Sequence, residues 1–183
     1  MKEISLHIMD IVQNSISADA TCIAVSLEIS KEQDLLTLHI CDNGRGMDEQ
    51  MLANVTSPFV TTRTTRKVGL GISLLSAGAM ATGGDFAINS KLGEGTTVKA
   101  AYVLDHIDRP PIGDFAGTMH TLIVCNPNID FVVRFVHDGE DGQLDTKEIR
   151  AVLGDEVPLD SPDVSLWIAD NLKEIFPPEF AEI

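Results

Sequence analysis

The sequence predicts a mixed α/β domain followed by a smaller acidic α+β extension, and three observations carry that expectation. An amphipathic helical stretch leads into two runs of strand-like alternation. A glycine-rich loop then feeds an apolar helix, and two more alternating runs come after it. The charge balance breaks near residue 105: residues 1–104 hold 8 Lys/Arg against 11 Asp/Glu, whereas residues 105–183 hold 5 against 17. Two units are therefore expected, 1–104 and 105–183. The join falls at DHIDRPPIGD, where Pro110-Pro111 punctuates the chain.

The 183 residues are enough to bury a real core, and 44% hydrophobic with 22% charged residues describe a soluble globular protein. No apolar run approaches the roughly 20 residues of a membrane span, and MKEISLHIMD lacks the basic start and apolar core of a signal peptide. Cys22, Cys41 and Cys125 are scattered without a C-x-x-C pair, which points to neither a disulfide framework nor a zinc site. A cytoplasmic location is expected. The net charge of −15 repels phosphate backbones and acidic membranes, so neither nucleic acid nor a membrane is an expected partner.

Residues 2–18 read as a helix, with Ile4, Ile8, Val12 and Ile16 on its buried stripe. Glu3, His7, Asp10, Asn14 and Ser17 share a second, polar face. A carboxylate and a carboxamide one turn apart suit a metal-bound water or ion; the plainer reading is a solvated surface. Thr21–Ser30 and Leu35–Cys41 alternate as a strand hairpin around a polar turn, Lys31–Asp34. The second strand runs into Asp42-Asn43-Gly44-Arg45-Gly46-Met47. There the glycines let the backbone curl away and leave an acceptor-only carboxylate facing a cavity, as an adenine amino group requires. A simple D-N-G turn is the alternative.

Asp48–Val55 reads as a short helix. Pro58-Phe59 opens a loop with four threonines and three cations in Val60–Val68, able to close over phosphates. Gly69-Leu70-Gly71 then feeds a helix that Gly83-Gly84 stops, and a glycine loop before a helix start offers unpaired N–H groups to an anion. The Walker pattern is absent. Asp85–Ser90 and Thr96–Leu104 read as strands around a turn containing Gly93 and Gly95, with Thr96-Thr97 starting an edge beside the first helix.

Four blocks in order resemble the GHKL ATP-binding family, shared by sensor histidine kinases, anti-sigma-factor kinases, DNA gyrase and the mismatch-repair ATPase. Asp10-Ile-Val-Gln-Asn14 resembles the N box, and Asp42-Asn-Gly44-Arg-Gly46-Met47 the adenine-reading box. Pro58-Phe59-Val-Thr-Thr62-Arg63 with Gly69-Leu70-Gly71 resembles the F box, lid and G2 box of histidine kinases, especially the nitrogen-sensor kind. Gly93-Glu-Gly95-Thr96-Thr97 is similar to the last glycine box.

The resemblance covers about residues 1–104 and implies a two-layer α/β sandwich of the Bergerat type, with ATP held between helices and sheet. It implies that Asn14 binds Mg²⁺, that Asp42 accepts from adenine, and that Gly44, Gly46, Gly69, Gly71 and Gly95 let backbone approach the nucleotide. Met47, Phe59, Thr62, Arg63, Leu70, Thr96 and Thr97 complete the implied ATP site. Asp10 would be the general base, where the family usually has the longer Glu. Two-component and anti-sigma relatives imply transfer of the γ-phosphate to a protein partner: a response regulator, an anti-sigma-type target, or a hydrogenase-associated protein. The last comes from the likeness to stand-alone proteins found beside iron-only hydrogenase components in anaerobic bacteria. A slow ATPase acting as a conformational switch and a non-catalytic nucleotide sensor are the alternatives, and a homodimer is one form either could take. Only nine residues precede Asp10, so the phospho-accepting hairpin of histidine kinases is not expected, and His7 reads as a polar neighbour of Asp10.

In the acidic extension, Thr118–Cys125 and Phe131–His137 read as a hairpin joined by Asn126-Pro127-Asn128. Asp145–Leu153 reads as a helix capped by Asp145, and Asp163–Phe176 as an amphipathic helix ended by Pro177-Pro178. The run His137–Glu148 superficially resembles a calcium loop, but His and Gly at its first and third positions argue against one. Trp167 is read as a core contact, with a docking surface as the sharper alternative.

Overall fold

The computed structural model describes residues 3–56, 71–154 and 157–183. Helix α1 (Ile4–Ser17) is followed by β1 (Cys22–Ser30) and β2 (Leu35–Asp42), an antiparallel hairpin as the alternation predicts. Then come α2 (Glu49–Thr56), α3 (Gly71–Ala81), β3 (Asp85–Lys91) and β4 (Gly95–Val103). Helix α4 (Phe115–Cys125), β5 (Asp130–His137), β6 (Glu140–Asp145), α5 (Thr146–Leu153) and α6 (Pro162–Ile175) complete the order, with a short 3₁₀ turn at Pro178–Phe180.

The strands form one six-stranded sheet in the order β3-β4-β2-β1-β5-β6. Alternate residues of β1, Ile23, Val25, Leu27 and Ile29, are buried, while Cys22, Ala24 and Ser26 on the other face are partly open. Helices α1, α3, α4 and α6 bury that first face in one continuous core, giving the helix-on-sheet layering expected of the fold. β4 lies inside the sheet between β3 and β2, not at the edge that its leading threonines were expected to start.

The extension differs most from expectation. Residues 118–125 are helical, not the strand their β-branched content predicts. Asp114 caps α4 by accepting from the Gly117 N–H at 2.8 Å, and Phe115, Met119, Leu122 and Ile123 lie buried along one side. β5 instead pairs parallel with β1 and makes its hairpin with β6, so residues 105–183 share the sheet and core of residues 1–104. The run 137–148 folds as the end of β5, the tight turn, β6 and the start of α5, which Asp145 caps through Lys147 N–H as predicted.

The extension also holds the first helix. The leading N–H groups of α1, which have no partner within a helix, donate to Pro111 and Ile112 carbonyls at 2.9 Å each. The next residues are tied to the C-terminal tail by Ile112 N–H to Ile183 O and Gly113 N–H to Ala181 O. Gly113 has φ +77°, and a Cβ there would lie 2.2 Å from the Glu3 carboxylate. α1 is thereby fixed at its start by residues 111 and 112, and the C-terminal tail holds residues 112 and 113 in turn.

Candidate functional site

A cleft of about 450 Å³ opens between α1, α2 and the ends of β2 and β4, within the size range of small-molecule sites. Ile11, Ile72 and Val98 give it a buried apolar base, and Asn14, Asp42 and Thr96 bring polar groups to it. Asp42 is 8% exposed, at the last position of β2. Its Oδ2 accepts from Ser15 Oγ at 2.6 Å and its Oδ1 from the Gly44 N–H at 2.9 Å. A buried carboxylate held by two donors is fixed in direction, and its remaining lone pairs face the cleft as acceptors.

The loop after Asp42 is fastened on both sides. Asn43 Oδ1 accepts from the Thr21 and Cys22 N–H groups at 2.9 Å each, and Arg45 N–H donates to Ala18 O at 2.8 Å. The Arg45 guanidinium donates to the Ser17 carbonyl at the end of α1. On the other side, Ser90 Oγ accepts from Met47 N–H at 2.9 Å and donates to Gly95 O at 3.0 Å. The room left by two of the glycines is filled by the protein itself. A Cβ on Gly46, at φ +66°, would lie 2.0 Å from Lys91 O, and one on Gly95, at φ +106°, 2.0 Å from Asp42 O. These glycines let the two turns nest.

Gly71 opens α3 against α1, where a Cβ would lie 2.7 Å from the Asp10 Cβ. Asp10 is thus set beside the start of α3, exposed, with half-buried Asn14 one turn further along and lining the cleft.

The family model for the "Histidine kinase-, DNA gyrase B-, and HSP90-like ATPase" matches residues 2–106. The chain belongs to this GHKL family. A candidate sensor protein of Shewanella frigidimarina (strain NCIMB 400) is 31% identical over 105 residues, 55% of this chain and 16% of its own length. The C4-dicarboxylate transport sensor protein DctB of Pseudomonas aeruginosa is 38% identical over 71 residues, 38% of this chain and 12% of its own. Sensor protein kinase FleS of the same organism is 36% identical over 58 residues, covering 32% and 14%. The chain therefore spans only 12–16% of the length of these curated relatives. Among solved structures, the N-terminal domain of a DNA repair protein superposes with a TM-score of 0.53 at 16% identity. It covers 85% of this chain and 58% of its own, a likeness of fold.

Within this GHKL domain, the residues read from the sequence separate into three groups. Asn14, Asp42, Gly46, Met47 and Thr96 line the cleft, Gly44 and Gly95 lie in the supporting turns beside it, and Asp10 on α1 faces Gly71 at the start of α3. Thr97 lies on the other face of β4, where its hydroxyl meets Cys41 Sγ at 3.3 Å. Phe59, Thr62, Arg63, Gly69 and Leu70, with the lid loop, lie outside the described residues. Sequence reasoning missed Ser15. The available signal was its place beside Asn14 on the inward side of α1, where a buried hydroxyl needs a partner.

The cleft is open to a nucleotide, as membership of the GHKL ATPase family implies. Among the described residues there is no group of three or more His, Cys, Asp or Glu side chains able to hold a metal. Mg²⁺ at phosphoryl-transfer sites keeps several waters and is held largely by the substrate phosphates, so it needs no such cluster, and Asn14 at the cleft is the group that would hold it. Among the described residues no helix is long and apolar enough to cross a membrane.

Proposed function

We propose that this GHKL domain is an Mg²⁺-ATP-dependent protein kinase of the histidine kinase-like type, passing the γ-phosphate to a protein partner. The observation that supports its nucleotide-binding part is the buried Asp42 carboxylate, held by Ser15 and Gly44 and facing an apolar-based cleft of about 450 Å³. Asp42 would accept from the adenine amino group, Ile11, Ile72 and Val98 would pack the ring, and Asn14 would hold the metal. When bound, Mg²⁺ lowers the charge barrier to phosphoryl transfer. Asp10, beside the start of α3, would take the proton of the attacking group, with one methylene less reach than Glu. The names of the relatives, sensor proteins and a sensor protein kinase, support the kinase class.

One observation favours a second reading, an ATP-driven switch. The helix carrying Asp10 and Asn14 is anchored at its first turn by the Pro111 and Ile112 carbonyls, and Ile112 with Gly113 is bonded to the C-terminal tail. Movement of α1 on nucleotide binding would reach the acidic region directly.

Incubation with γ-labelled ATP, Mg²⁺ and a lysate fraction separates the readings, with Asn14→Ala as control. Label moving onto a second protein and lost in the control is the expected result. Free phosphate alone, lost in the control, would replace the kinase by the switch. Binding of ATP with neither product would leave a nucleotide sensor.

A further inference from the structure

A second cavity, about 290 Å³, lies at the β6 edge of the sheet, away from the nucleotide cleft. Phe135, His137 and Phe180 line it. The Phe180 ring centre is 5.1 Å from that of Phe135 and 4.5 Å from that of His137, with the rings inclined at 62° and 60°. Carboxylates surround this aromatic floor: Glu140 and Asp141 from β6, and Glu174 from α6. Asp141 is already engaged by the Arg134 guanidinium, at 2.9 and 3.1 Å from its Nε. Glu140 and Glu174 make no ion pair among the described residues.

The outer face of α6 continues from the cavity. Trp167, Asn171 and Glu174 follow one another at helical spacing, and the last two line the cavity. Trp167 is 53% and Leu166 64% exposed, so the single tryptophan is not the core contact expected of it. Asp163 and Asp170 flank the pair on the same exposed face, and Lys173 is the only cation of α6.

Aromatic faces attract a cation, neighbouring carboxylates add to that attraction, and a guanidinium is planar enough to use both. The surrounding sequence is strongly acidic, with 5 Lys/Arg against 17 Asp/Glu in residues 105–183. We propose that this end of the molecule docks a basic amphipathic segment of a partner protein, with an arginine side chain seated in the cavity and an apolar side chain on Leu166 and Trp167. The proposal does not rest on phosphoryl transfer, because it concerns binding at a separate surface without nucleotide.

Trp167 is its own reporter, since the chain has no other tryptophan. The whole protein, free of nucleotide, is titrated with a synthetic acetylated peptide in which Leu and Arg recur at helical spacing and Trp is absent. A saturable change in Trp167 emission is expected. Phe180→Leu keeps apolar bulk but removes the ring face, and is expected to weaken binding about threefold or more. The pair Glu140→Gln and Glu174→Gln is expected to do the same. Asp85→Asn with Glu94→Gln removes equal charge at the β3 end of the sheet and is expected to leave binding nearly unchanged. A peptide with Lys in place of Arg is expected to bind more weakly.

The proposal is overturned if no saturable change appears, or if the β3-end pair weakens binding as much as the cavity pair, which would mean general acidity alone. Equal binding of the Lys peptide would overturn the arginine assignment. Light scattering that shows self-association abolished by Phe180→Leu would make the surface an interface between copies instead.

Discussion

Replacing Ser15 with alanine removes the hydroxyl that holds Asp42, and the two states of the protein feel this unequally. Ser15 Oγ lies 2.6 Å from Asp42 Oδ2, both residues are buried, and the other donor among the described residues is the Gly44 N–H. A hydrogen bond to a charged group contributes roughly 1.5–3 kcal/mol. With the cleft open, water can replace part of it; with adenine in place, water is excluded and the carboxylate is also free to turn. Most of the loss therefore falls on nucleotide affinity. Ser15→Ala should weaken ATP binding about 10- to 100-fold, since each 1.4 kcal/mol is a factor of ten. Folding stability should fall by about 1 kcal/mol or less. Calorimetric titration with ATP and Mg²⁺ reads the first, and a nucleotide-free thermal melt the second. A double-mutant cycle with Asp42→Asn tests the route, because Ser15→Ala should cost little once the carboxylate is gone. Wild-type affinity in Ser15→Ala, or fully additive losses in the cycle, would refute the reasoning.

Three further outcomes are expected. Tyr102 is fully buried, burial pushes its phenol pKa up, and its hydroxyl has no partner among the described residues, so Tyr102→Phe should stabilise the fold by about 1 kcal/mol. A melt should rise by about 2–4 °C; a fall would show that the hydroxyl is satisfied. A chain ending at residue 104 should fail to fold cooperatively, because β1 loses its parallel partner β5 and α1 loses the carbonyls at its first turn; a sharp melt would contradict this. Asp138 is held below the usual carboxylate range, first by the hydrogen bond from the Lys31 N–H. A lowered folded pKa means that the clamp is present above the unfolded value near 3.9 and is lost as pH falls through the folded one. The protection of the Lys31 amide, its exchange rate relative to the intrinsic rate at the same pH, should stay constant above about pH 4 and fall only as the pH drops through the lowered Asp138 value.

What the sequence made legible follows from how local the signals are. The helix of Asp10 and Asn14, the β1–β2 alternation and the glycine-marked turns at Gly46 and Gly95 are each set by residues close together in the chain. Thr118–Cys125 is different. Its Thr, Ile and Val content favours a strand, yet Asp114 supplies a cap and Phe115, Met119, Leu122 and Ile123 recur at helical spacing, so burial against α6 and α1 decides. β6 could not be read from EDGQLD. It is a polar edge strand whose Gly142 faces Ile175, at 3.0 Å from a Cβ built there, and its pairing depends on β5. The membership of β5 in the main sheet was likewise invisible, because its partner β1 lies a hundred residues earlier and a parallel pair leaves no turn to mark it. Ser15 and the outward Trp167 depend on which way α1 and α6 face, which tertiary packing fixes.

The most direct test is a comparison of ATP and GTP binding, each with Mg²⁺, by wild type and Asp42→Asn. The adenine amino group donates where guanine presents a carbonyl, and the Asp42 carboxylate can only accept. Wild type should bind ATP with clear preference over GTP, and Asp42→Asn should lose most of that preference along with affinity for ATP. Equal binding of both nucleotides by the wild type, or an unchanged preference in Asp42→Asn, would contradict the placement of adenine in this cleft.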